Sequence, residues 1–211
     1  HLIVFVRPLF SKFGLAIWLV FVGTAGLLGT LNYGAIAAAL SPDILKPDNL
    51  VVMVLLYTAI KLVHEFAHAL TVKMWGGEVH EMGFTLLIMV PVPHVDATAA
   101  WAFRDKYKRV LVGAAGIMAE LFIAAVALFV WLAVEPGVVR DTALNIVLIA
   151  SISTLLFNAN PLLRFDGYYM LQDLIEIPNL GSRANRYYLY LVQRYLFGLA
   201  NAQSPQTAIG E

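Results

Sequence analysis

The sequence contains no cysteine, which excludes disulfide bonds and thiolate metal sites. Any bound metal would therefore have nitrogen and oxygen ligands. Charged residues are also scarce: they make up 13% of the chain, against about a quarter of an average soluble domain. The 14 basic and 14 acidic residues cancel, so the net charge gives no indication of a nucleic-acid partner, and we expect none.

Hydrophobic residues fill 60% of the 211 positions, and they are concentrated in long uninterrupted runs. A helix of roughly 20 apolar residues is long enough to cross a bilayer. Four runs meet this length, at about 13–40, 50–75, 110–134 and 142–160. The composition therefore predicts an all-α polytopic membrane protein with about four transmembrane helices embedded in a lipid bilayer.

Two further segments have a different pattern. Residues 78–95, between the second and third runs, combine short apolar stretches with prolines and β-branched residues, which predicts a small β-hairpin insertion. Residues 182–211 mix arginines with tyrosines and leucines, so we expect an amphipathic, interfacial tail after a membrane core at 1–181. A truncated fifth span and a soluble helix are open alternatives for this tail. Because the chain begins at His1, we expect it to be part of a longer protein.

The positions of lysine and arginine predict the orientation, because cytoplasmic connections are enriched in both residues. Two of the connections between runs hold only Lys46 and Arg140. Apart from Lys61, the other basic residues precede the first run, lie in or beside the hairpin connection, or follow the fourth run: Arg7, Lys12, Lys73, Arg104, Lys106, Lys108, Arg109, Arg164, Arg183, Arg186 and Arg194. We therefore expect both termini and the hairpin region to face the cytoplasm.

The second run contains the segment His64-Glu65-Phe66-Ala67-His68. Residues four apart lie on one face of a helix, so both imidazoles can reach one metal ion while Glu65 is placed to activate water. Ionisable residues inside an apolar span are costly and are seldom found there without a function. The alternative is a polar cluster whose hydrogen bonds are made by neighbouring helices. The pattern favours a zinc site with three protein ligands and an open position.

Asp166 is the candidate for the third ligand. It follows the fourth run in a segment that Pro161 interrupts, and it precedes Gly167. Irregular backbone at membrane depth is tolerated only where it is buried in protein or lines a wet cavity, as a zinc site with access to water would require. The alternative is a turn carboxylate at the interface.

The pairing of this motif with Asn158, Pro161, Asp166 and Gly167 resembles the site-2 protease family of intramembrane zinc metalloproteases. Its bacterial branch of peptide zinc metalloproteases is the most similar. The resemblance implies one Zn²⁺ held by His64, His68 and Asp166, with Glu65 as general base and Asn158 stabilising the oxyanion.

It further implies a membrane protein or peptide as substrate, with the hairpin aligning it by strand addition. It also implies fused or associated export-adaptor segments, and a location in the bacterial cytoplasmic membrane with the active-site side facing the cytoplasm. The third run departs from the family pattern, because Glu120 follows Gly116 where members often have Gly-Pro-x-x-Asn, and Arg164 stands in a segment that is commonly uncharged.

Two other charges lie inside spans at similar depth, Lys61 and Glu120, and we predict that they pair. Glu65 is a rival partner for Lys61 at the i,i+4 spacing. Outside the spans, His94 and Asp96 could relay protons or bind a second metal, although a histidine in a hairpin commonly has no such role.

Two alternative functions stay open. The first is a membrane metalloprotease in which Glu120 rather than Asp166 is the third ligand. The second is a non-catalytic, zinc-stabilised membrane component of a peptide export or immunity system. Glu65 argues against the second alternative, because a structural metal site does not need a base.

Overall fold

The computed structural model describes residues 7–40, 44, 46–88 and 90–199 of the chain. These residues are mostly helical, with one two-stranded antiparallel sheet. In chain order the elements are α1 (Lys12–Leu31), α2 (Tyr33–Ala39), α3 (Pro47–Met74), β1 (Met82–Leu87), β2 (Val90–Val95), α4 (Lys106–Ala133), α5 (Val138–Ile152), α6 (Asp166–Ile175) and α7 (Leu180–Leu191).

Four helices are long and apolar enough to cross a membrane, which confirms the four predicted runs and is consistent with a membrane protein. They are α1, α3, α4 and α5, the last continuing as a π-helix to Asn158. The first helix is shorter than predicted, because α1 ends at Leu31 and α2 is a separate helix of 7 residues. Between them Asn32 uses its side-chain amide to donate to the Leu28 carbonyl at 2.8 Å.

Helix α4 lies at the centre of the bundle and packs against α1, α3, α5 and α6. Small residues, including Ala115, Ala124 and Ala125, line its buried face and let the neighbouring helices approach closely. Large apolar side chains such as Leu19 and Phe13 on α1 point outward and are more than half exposed. Such an outer surface is unfavourable in water and suits contact with lipid.

The predicted hairpin is confirmed, and its two strands pair in the register Met82↔Val95 to Leu87↔Val90. Strand β2 packs along the middle of α3, where the Thr58 hydroxyl donates to the Pro91 carbonyl at 3.1 Å. The hairpin therefore lies beside the helix that carries both histidines, rather than beyond its end.

The fourth apolar helix ends in the irregular segment that the sequence predicts. The backbone widens into a π-helix over Ser153–Asn158, and the Ala159 N–H then donates to the Thr154 carbonyl at 2.7 Å. The chain turns back through Phe165, and α6 begins at Asp166. At Gly167 a Cβ atom would lie 2.6 Å from the Ala159 carbonyl group, so a glycine is required for the close approach that returns Asp166 to the bundle.

The tail forms α7 followed by a short π-helical turn at Val192–Leu196. Most of its side chains are exposed, including Tyr188 and Leu189. Its placement at a membrane surface stays a prediction, and residues 200–211 lie outside the described residues.

Candidate metal centre

Two histidines on α3 and one aspartate at the start of α6 form a compact group. His64 and His68 are 4% and 7% exposed, and they lie one helical turn apart on the face that α4 covers. One ligand atom from each of His64, His68 and Asp166 lies within 4.8 Å of the other two. This buried group could hold a metal ion, as the spacing of the motif predicts.

The three facing atoms are close enough to share one ion. The two Nε2 atoms lie 3.0 Å apart. Asp166 Oδ2 lies 3.1 Å from Nε2 of His64 and 3.5 Å from Nε2 of His68. Three ligands of a tetrahedral zinc ion at 2.0–2.1 Å would lie about 3.3 Å from one another, so the observed spacing fits such an ion.

The hydrogen-bond partners of the imidazoles determine which nitrogen faces the centre. Nδ1 of His68 donates to the Val112 carbonyl at 2.7 Å, which leaves the lone pair on Nε2. Nδ1 of His64 lies 3.0 Å from Oε1 of Glu120, although this contact falls short of hydrogen-bond geometry. Both histidines therefore present Nε2 toward Asp166.

Asp166 provides the observation that tests the fit of a cation. Its Oδ2 atom is buried without a hydrogen-bond partner among the described residues. An ionised oxygen and two imidazole lone pairs would repel one another at these distances, so a divalent cation fits the space between them.

Gly116 on α4 closes the centre from the side opposite α3. A Cβ atom at this position would lie 2.5 Å from Nε2 of both His64 and His68, inside any allowed contact. The site thus exists only because this position has no side chain. This role of Gly116 was not predicted. The signal that the sequence offers for it is a glycine one helical turn before a glutamate inside a span.

Behind His64 lies Glu120, which is fully buried. Lys61 Nζ lies 2.6 Å from its Oε1, which confirms the predicted pair and shows that Lys61 contacts Glu120 rather than Glu65. The Thr154 hydroxyl and the Asn158 amide donate to Oε2, the latter at 3.0 Å. The bond to Glu120 uses one of the two amide hydrogens of Asn158, and its predicted role at an oxyanion stays a prediction.

The structure also separates Glu120 from Asp166 as rival third ligands. Glu120 contacts Nδ1 of His64, whereas Asp166 contacts Nε2 of both histidines. Nδ1 and Nε2 lie on different sides of the imidazole ring, so the two carboxylates cannot exchange places without rotation of His64. The geometry favours Asp166.

Two cavities meet at this group, and Glu65, which is half-buried, lines both of them together with Asp166. The larger cavity, of about 620 Å³, is mostly apolar, with Met53 and Leu148 in its wall. The smaller, of about 440 Å³, is more polar and includes Arg109. Glu65 is thus placed where water and an extended chain could both reach the candidate ligands.

His94 and Asp96 line the smaller cavity, at the end of β2. The His94 ring contacts the Thr85 hydroxyl at 3.3 Å. Hydrogen bonds from the Thr98 hydroxyl and backbone N–H lower the pKa of Asp96, so its carboxylate is charged at neutral pH. Within the ranges that the structure describes, these two residues do not join a second group of three metal-ligating side chains.

Comparisons of the chain with protein-family models, with curated proteins and with solved structures find no match.

Proposed function

We propose that this chain is an intramembrane zinc metalloprotease of the site-2 type, which hydrolyses a peptide bond within or next to the membrane. The observation that supports it best is the buried convergence of His64, His68 and Asp166, with the unpartnered Oδ2 atom of Asp166 facing both Nε2 atoms. Glu65 follows the first of these histidines directly and lines both adjoining cavities. A binding site that only stabilised the fold would not need a carboxylate at that position.

The membrane location rests on the four long apolar helices and on their exposed outer side chains. The distribution of lysine and arginine supports a cytoplasmic orientation of both termini and of the metal side in a bacterial inner membrane. Zinc is the proposed ion because two imidazoles and one carboxylate are a known ligand set of catalytic zinc.

Bound zinc supplies Lewis-acid polarisation of the scissile carbonyl and lowers the pKa of water. Glu65 accepts the proton of the attacking water, whose oxygen adds to the carbonyl carbon. The same carboxyl group then delivers the proton to the leaving amine as the carbon–nitrogen bond breaks. Asn158 contributes its second amide hydrogen to the oxyanion.

Strand β2 is the part of the hairpin next to these residues, and its prolines limit how a peptide can pair with it. Because the Pro91 carbonyl points to α3 and away from β1, the backbone groups of Pro93 and Val95 point to that same edge of the strand. Proline has no N–H, so this edge offers the Pro93 carbonyl and both backbone groups of Val95. We therefore expect a short paired stretch in the substrate, with contacts in the two cavities holding the rest.

The substitution Glu65→Gln tests the proposed chemistry. We expect it to lower hydrolysis about 10²- to 10⁴-fold, because a glutamine cannot accept the proton of water. Zinc content is expected to stay at the wild-type level, because Glu65 is not among the three candidate ligands. The measurement is cleavage of membrane-inserted peptides by purified protein in liposomes, followed by mass spectrometry, with zinc measured in the same samples.

The matched control is Glu78→Gln, which removes an exposed carboxylate outside both cavities. This variant is expected to cleave at the wild-type rate. Equal cleavage by Glu65→Gln and wild type, or cleavage that survives removal of zinc by a chelator, would contradict the proposed function.

A further inference from the structure

The geometry points to Glu120 as a positioning residue that holds His64 in the orientation for metal binding, with Lys61 fixing the position of the Glu120 carboxylate. This inference rests on the proposed metal site but not on proteolysis. It gives a function to the residue with which the third run departs from the family pattern.

Four polar groups surround the carboxylate of Glu120. Oε1 lies 2.6 Å from Lys61 Nζ and 3.0 Å from His64 Nδ1. Oε2 accepts from the Thr154 hydroxyl and from the Asn158 amide. An ionised carboxylate has about four lone-pair sites, and here four groups from two helical segments, α3 and the π-helix, face them. A carboxylate held in this way has little freedom to turn away from His64.

The contact with His64 bears on which ring nitrogen can bind a metal, which a purely structural ion pair would not affect. Nδ1 of His64 has no hydrogen-bond partner among the described residues, and Glu120 Oε1 is the charged acceptor beside it. A proton held on Nδ1 leaves the lone pair on Nε2, which faces Asp166. A carboxylate behind a ligating histidine also makes the imidazole a stronger ligand. His68 has the equivalent support from the Val112 carbonyl.

Lys61 has a separate role in this arrangement. It is 8% exposed on α3 and contacts neither Nε2 atom nor Asp166. A lone carboxylate buried at this depth would be costly as an anion, and a nearby ammonium group offsets that cost. Lys61 therefore holds Oε1 of Glu120 at the position beside Nδ1 of His64.

Three variants separate a positioning role from a structural one: Glu120→Gln, Lys61→Met and the double variant. Each single change leaves one buried charge without its partner, so we expect both to lower the thermal stability of the metal-free protein. The double variant removes both charges and is expected to recover much of that stability. Comparison of the double variant with wild type therefore remains interpretable even where Glu120→Gln fails to fold.

Zinc affinity is expected to follow a different pattern from stability. Outer-shell partners of ligating histidines typically contribute 10- to 100-fold to metal affinity. We therefore expect Glu120→Gln and the double variant to bind Zn²⁺ about 10- to 100-fold more weakly in competition with a chromophoric chelator. Lys61→Met keeps the carboxylate and is expected to stay closer to wild type. The visible spectrum of the cobalt-substituted double variant should differ from wild type, because the orientation of His64 changes.

Asn145→Ala serves as the control for disturbance of a buried polar pair. Asn145 bonds Asn49 at 2.6 Å, and Asn49 precedes His64 by 15 residues of α3, about 22 Å along the helix. This variant is expected to lose stability without a change in zinc affinity. If the double variant recovers zinc affinity along with stability, Glu120 is only the partner of a structural ion pair and the inference is wrong. If the wild type binds no zinc, the proposed function is wrong, and the positioning role of Glu120 is wrong with it.

Discussion

Replacing Asp166 by alanine is expected to reduce the zinc content of the detergent-purified protein from about one ion per chain to almost none. The two imidazoles would then be the only remaining members of the group of three, and a site with two protein ligands binds zinc weakly. The aspartate also supplies a negative charge that offsets part of the charge of the ion. Elemental analysis of purified wild type and variant measures the difference directly.

Glu65→Gln is the matched control for this measurement, since it also removes a carboxylate that lines both cavities. It is expected to retain the wild-type zinc content, because Glu65 is not one of the three ligands. Full retention of zinc by Asp166→Ala would refute the ligand assignment. Loss of zinc from Glu120→Ala together with full retention by Asp166→Ala would instead support Glu120 as the third ligand, and His64 would then have to bind through Nδ1.

The second large effect is expected at Gly116, a residue without any chemistry of its own. An alanine there would place a methyl group 2.5 Å from Nε2 of both His64 and His68. The methyl group would occupy the space into which both lone pairs point, so zinc binding is expected to fall below detection. Overpacking of a close-packed interior costs about 1–3 kcal/mol, and we expect a loss of that order in the stability of the metal-free protein.

Gly26→Ala on α1 is the control, because a Cβ atom there would have no neighbour within 4 Å. Alanine is favoured over glycine inside a helix by about 1 kcal/mol, so this variant is expected to be as stable as wild type or more so, with full zinc content. A Gly116→Ala protein that binds zinc as tightly as wild type would show that α4 does not lie against the two histidines.

Much of the architecture follows from local patterns. Apolar runs of the length of a bilayer predict the four long helices, and short apolar stretches with prolines and β-branched residues predict the hairpin. The His64–His68 spacing of one helical turn is enough to place both imidazoles on one face. The break near Pro161 predicts the irregular end of the fourth helix, where Asp166 lies. In each of these cases the relevant residues are close in the chain or share one helix.

Contacts between side chains on different helices could not be derived from the sequence in the same way. The sequence left Lys61 with two possible partners, Glu65 at i,i+4 and Glu120, and the packing of α3 against α4 selected Glu120 at 2.6 Å. The position of Gly116 against both imidazoles, and the contact of Glu120 with Nδ1 of His64, were not predicted at all.

The sequence by itself therefore determined which residues share a helix face, how many long apolar helices the chain forms, and which side chains can act as ligands. The tertiary structure decided which face of α4 meets α3. It thereby decided which carboxylate contacts Nε2 of His64 and which contacts Nδ1. The physical reason is that helical periodicity depends on neighbours a few residues apart. The rotation of one helix against another depends on how small and large side chains interlock over the whole contact.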